Sequence, residues 1–153
     1  MTTGPSFRFR LERVRAVRER SETVAKQELA RAVSRLTSTQ ADLRAAEADL
    51  EHARFEQRTA ASEPGAVAAT DLLERQAFLE RVEGERRAQE LELARREGDV
   101  ADRDAQLTTA ASEHEMLNRL RERRRGEHER EAARHERNTL DEIAAARFGR
   151  TPA

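Results

Sequence analysis

Leu29-Ala30-Arg31-Ala32-Val33-Ser34-Arg35-Leu36-Thr37-Ser38-Thr39-Gln40-Ala41-Asp42-Leu43-Arg44-Ala45-Ala46-Glu47-Ala48-Asp49-Leu50 decides the fold. Leu29, Leu36, Leu43 and Leu50 recur every seven residues, and Ala32, Thr39 and Ala46 each follow a leucine by three. A small or apolar residue every three or four positions is a coiled-coil seam, and the small alternate positions favour close approach of a second helix. A strand is excluded, because period-two alternation is absent and β-branched and aromatic residues are scarce. Worked outward, the seam extends through Leu11, Val14, Val17, Ser21 and Ala25 on one side and Ala53 on the other. The first helix is expected from near Phe7 to about Ala61.

Helix breakers mark where this pattern stops, since an interior proline costs about 3 kcal/mol and a glycine about 1 kcal/mol. Gly4-Pro5 precedes the first periodic segment, Pro64-Gly65 interrupts the middle, and Pro152 lies near the last residue. Gly84, Gly98 and Gly126 are isolated among helix-forming residues and weaken a second helix without ending it. Beyond the break a second stripe runs Leu72, Leu79, Val82, Leu93, Val100, Leu107, Ala110, Leu117 and Leu120. Two such stripes joined by a short break predict an antiparallel hairpin.

Antiparallel partners have residue numbers of nearly constant sum, about 130 for a turn centred on Pro64-Gly65. That register places Leu50 near Leu79, Leu36 near Leu93, Leu29 near Val100, Val14 near Leu117 and Leu11 near Leu120. The first helix then runs out opposite about Arg123. Residues 121–138, RERRRGEHEREAARHERN, have only Ala132 and Ala133 as apolar members, as an unpaired helix must. The fold class is therefore all-α: an antiparallel two-helix coiled-coil hairpin over residues 7–147, with a turn near 62–69 and a C-terminal helical overhang unpaired from about 124. Residues 1–6 and 148–153 are expected to be flexible ends.

Composition restricts the function. In 153 residues, 37% are hydrophobic and 39% charged, yet 29 Lys and Arg against 30 Asp and Glu leave a net charge of −1. A dense, balanced surface argues against general attraction to nucleic acid, and with no Trp or Tyr there is little to stack on bases. The absence of Cys removes thiolate chemistry and disulfides. Residues 1–20 carry six arginines and no apolar run, which excludes a secretory signal in that stretch, and no window is apolar enough to span a membrane. The chain reads as a soluble cytosolic one. Nucleotide and zinc-protease motifs are missing, and His114, His128 and His135, although at one heptad position, are spaced too far apart to chelate one ion. A non-enzymatic role without a cofactor is expected.

Two surfaces stand out instead. Arg8, Arg10, Arg13, Arg15, Arg18 and Arg20 fall beside Arg119, Arg121, Arg123, Arg124 and Arg125, making a basic end suited to an acidic protein surface or else a solvated face partly neutralised by neighbouring glutamates. Near the turn, Phe55 and Phe78 lie off the leucine seam, where an aromatic serves either as a binding anchor or as a cap on the last coiled-coil layers.

The residues also resemble the FliJ family of flagellar type III export. Phe7-Arg8-Phe9-Arg10-Leu11-Glu12-Arg13-Val14 with Arg18-Glu19-Arg20 is similar to the family's opening, and Gln76-Ala77-Phe78-Leu79-Glu80-Arg81-Val82 to its element after the turn. Leu117-Asn118-Arg119-Leu120-Arg121-Glu122-Arg123-Arg124, then Leu140-Asp141-Glu142-Ile143-Ala144 and Arg147, is similar to its closing run. The resemblance implies a cytoplasmic, non-enzymatic stalk, peripherally associated with the inner-membrane export apparatus. Its implied partners are the hexameric flagellar export ATPase, the export gate protein FlhA and export chaperones. It implies further that Phe7, Arg10, Leu11, Arg121 and Arg125 meet the ATPase ring and that Phe55, Phe78 and Val82 are available to the gate. The alternative is a self-associating coiled-coil scaffold or chaperone unrelated to flagella.

Overall fold

A computed structural model describes residues 6–62, 65 and 68–148. Of the expected flexible ends only Ser6 and Phe148 are described, Phe148 as the last residue of a helix, and most of the Pro64-Gly65 turn lies outside the described residues. Helix α1 spans Glu12–Ser62 and helix α2 spans Ala69–Phe148. Among the described residues there is no strand. The fold is an all-α helical hairpin, as the heptads require.

Helix α1 starts five residues later than the apolar pattern suggests. Its first turn is set by the Glu12 amide donating to the Phe9 carbonyl at 3.2 Å. Upstream, Phe7 is held against His128 of α2, with ring centroids 5.7 Å apart, so the chain before Leu11 is committed to packing and not to helix. Glu12 in α1 and Asp71 in α2 each put a carboxylate in the first turn, where the helix dipole favours negative charge. Gly84, Gly98 and Gly126 sit within α2 without breaking it.

The chain divides into two compact units, one of Val24–Thr108 and one of the residues before and after. In Val24–Thr108, antiparallel helix segments bury Ala32, Thr39, Leu50 and Ala53 of α1 and Leu79 and Val82 of α2. Leu50, Ala53, Leu79 and Val82 form its core cluster. Its cross-helix ion pairs, Arg35 with Asp99 and Arg54 with Glu83, have numbers adding to 134 and 137. That is a few residues beyond the expected register. Leu72, expected on the seam, is exposed, and burial in α2 begins at Leu79.

In the other unit, the cross-helix contacts of Phe7 with His128, Glu12 with Arg121, Arg18 with Glu113 and Glu22 with His114 add to between 131 and 136. The helices are antiparallel here too, but the seam is polar. Leu11, Val14, Val17 and Ser21 are exposed, whereas Arg15, Glu22 and His114 are largely covered. The expected apolar seam fails in this stretch for a geometric reason. Val14 and Val17 are reached from Leu11 by successive three-residue steps, each stopping about 60° short of a full turn, so the valines leave the interface. The Leu29 row, continued upward by sevens, meets Glu22 and Arg15 instead. From residue 129 to 148 every residue of α2 is exposed, so the overhang begins about five residues later than the expected 124, because the segment before α1 reaches His128 through Phe7.

Candidate partner-binding surfaces

In the unit that holds both ends of the chain, the segment before α1 lies against α2 through Phe7 and His128. Glu12 ties that corner: its carboxylate accepts from Arg15 at 2.8 Å and lies 3.5 Å from Arg121. The hydrogen bond from Arg15 holds the Glu12 carboxyl below its ordinary range against a little desolvation, and the charges of Arg15 and Arg121 act the same way as the bond. Arg15 is correspondingly raised, first by that bond with Glu12.

Two open grooves border this corner. One is lined by Phe7, Arg8, Phe9, Arg10, Glu12, Arg13 and Arg121. The second shares Phe7 through Arg10 and adds Leu11, Leu120, Arg124, Glu127, His128 and Glu131. Phe7, Arg10, Leu11 and Arg121, four of the five residues implied for the ATPase ring, therefore come together around the grooves. Arg125 lines neither and pairs with Glu129 on its own helix at 2.8 Å. The grooves set apolar ring faces beside guanidinium groups, and no group of three or more side chains able to hold a metal ion occurs among the described residues.

The second unit holds the three residues implied for the gate, and they are not alike. Phe55 is 60% exposed. Phe78 is 42% exposed, lines a groove of about 420 Å³ with Ala53, Glu56, Gln57, Asp71, Glu74 and Arg75, and carries the Arg81 guanidinium over its ring at 5.1 Å. Phe55 does not line that groove. Val82 is only 4% exposed, in the core with Leu50, Ala53 and Leu79, so it reaches a partner only through the residues it positions. The bond from Arg54 to Glu83 at 3.1 Å spans the helices one residue further along each.

Sequence reasoning passed over Phe9, Arg8 and His128 as groove residues. The available signal was the pair Phe7 and Phe9, two aromatics too close together for one helical face. It also passed over Arg54 with Glu83 and Glu22 with His114, because a cross-helix partner follows from register and becomes visible only when the register is fixed to within a residue.

The described residues thus define the class of charge-dense two-helix coiled coils with an exposed helical extension and open aromatic and basic grooves. The family model for the flagellar FliJ protein matches residues 7–153. The chain belongs to the FliJ family, whose members are non-enzymatic flagellar export components. No curated protein and no solved structure gave a significant match. No helix among the described residues is long and apolar enough to cross a membrane.

Proposed function

We propose that this FliJ-family chain is a cytoplasmic stalk that couples the flagellar export ATPase hexamer to the export gate protein FlhA and escorts export chaperones. It works at the membrane only peripherally, through the gate. The observation that carries this reading is the gathering of Phe7, Arg10, Leu11 and Arg121 around two adjoining grooves, beside the free helical extension of α2. Aromatic faces between arginines suit the acidic loops of a ring pore, and Arg125 lies one helical turn beyond Arg121 to extend the basic edge. Phe78 with its capping Arg81, and the exposed Phe55, are the groups offered to the gate, with Val82 fixing Phe78's helix from beneath.

Truncation after Arg121 tests the ring assignment. The shortened chain keeps its helical pairing in Val24–Thr108 but no longer stimulates the purified export ATPase. Normal stimulation by a folded truncation would remove the ring from this proposal.

A further inference from the structure

In the unit that holds the chain ends, Arg119, Arg124 and Arg125 of α2 are paired along their own helix with Glu115, Glu127 and Glu129, and Arg15 and Arg18 of α1 with Glu12 and Glu113. Arg13 and Arg20 are different: neither makes a hydrogen bond or ion pair among the described residues. The sequence withholds a partner from them. The positions three and four away from Arg13 are Phe9, Arg10, Ala16 and Val17, and those from Arg20 are Ala16, Val17, Thr23 and Val24, with no carboxylate in either set. Arg13 and Val17 each stand two residues from the inward Arg15, and Arg20 stands two from the inward Glu22, so all three lie on the side of α1 turned away from α2. At 100° per residue they fall within about 60° of one another, and the two arginines leave the helix about 10.5 Å apart along its axis. Val17, 57% exposed, lies between them.

The spacing of this column selects what lies on it. Seven residues is the interval at which a coiled partner helix returns a side chain to the same face, so two carboxylates one heptad apart meet both arginines at once. An extended peptide returns to one face about every 6.8 Å and misses that interval. A membrane surface is held by clusters of about four to eight basic residues, more than this column supplies. We propose that the outward face of α1 docks an acidic helix of a partner protein, two carboxylates one heptad apart set on Arg13 and Arg20 and a small apolar residue between them on Val17. Charge-assisted bonds to both guanidiniums give the contact its specificity. The inference does not rest on the ATPase assignment, because Val17 and Arg20 line neither groove at Phe7, although Arg13 borders one of them.

The test uses the full chain and two synthetic helical peptides of about three heptads and identical composition, one with its glutamates seven apart on a single face, the other with them distributed around the helix. Fluorescence anisotropy should show the heptad-spaced peptide binding at least about tenfold more tightly. Arg20→Ala and Val17→Glu should each weaken it by about tenfold with helicity and thermal midpoint unchanged, because both side chains are exposed. As a rescue, the chain carrying Arg13→Glu and Arg20→Glu should lose this peptide and bind a version with lysines in place of the glutamates. Equal binding of the two isomeric peptides, no detectable binding of either, or wild-type binding by both single variants overturns the proposal. So does binding to phosphatidylserine vesicles that Arg20→Ala abolishes while the peptides stay free, which would give the column to a lipid surface. A chain that sediments as a dimer without peptide, and as a monomer after Arg20→Glu, would give it to a second copy and overturn the proposal too.

Discussion

His114 shows how a polar residue is kept inside a coiled-coil seam. Its Nδ1 lies 2.6 Å from a Glu22 oxygen and its Nε2 lies 3.2 Å from the Asn118 amide. With Nδ1–H donating and Nε2 accepting, a neutral imidazole satisfies both contacts. Such a layer costs stability relative to packed leucines but fixes which residues face each other. Glu22→Ala should therefore destabilise by about 1 kcal/mol, since the pair is only partly shielded from water. The double change Glu22→Leu with His114→Leu should be at least as stable as the parent, measured by thermal unfolding. Asp99 supplies a pH-dependent counterpart. The hydrogen bond from Arg35 holds its carboxyl below the usual 3.8, against desolvation, with Arg103 adding to the effect. A carboxyl lowered in the folded state contributes stability above its unfolded value, and that contribution is lost as pH falls through the lowered one. Asp99→Asn should thus be less stable at neutral pH and lose stability less steeply on acidification below about pH 4. An equal slope in circular dichroism titrations would mean that the Arg35 contact contributes nothing.

At the scale of the helices, propensity and packing can be separated. Gly84 and Gly98 lie inside α2 at ordinary helical backbone angles, and a Cβ at either would meet nothing within 4 Å. Gly84→Ala and Gly98→Ala should each stabilise the chain by about 0.5–1 kcal/mol through lost freedom of the unfolded state. Leu50→Ala, at 3% exposure in the core, should cost about 2 kcal/mol or more. The same separation explains what could be read from the sequence. Leu29 to Leu50 keep a strict seven-residue repeat, so seam, partner and direction followed from spacing alone. Leu11, Val14 and Val17 are just as apolar but drift off that repeat, and composition could not show that Arg15 and Glu22 take the inner places. The start of α1 was hidden for a related reason, because the contact holding Phe7 off the helical path is with His128, far along the chain. The sites were less legible than the helices: Phe78 and Phe55 announced themselves as aromatics off the seam, but Val82 could be placed only by burial.

For the molecule as a whole, the antiparallel pairing within Val24–Thr108 must be intramolecular if the chain is a hairpin, and a self-associating scaffold would make the same contacts between chains. Because the sequence contains no Cys, spin labels can be attached uniquely at Ala30→Cys and Asp104→Cys, both exposed positions on opposite helices of this unit. Paired helix axes lie about 8–10 Å apart, so a hairpin gives one short label distance after allowance for the label arms. The discriminating step is dilution with a large excess of unlabelled chain. An intramolecular pair keeps its full dipolar modulation, whereas a pair formed between two single continuous helices loses it as labelled partners become rare. Full modulation is the expected outcome, and its loss on dilution would replace the hairpin with an intermolecular coiled coil and remove the basis for a single-chain stalk.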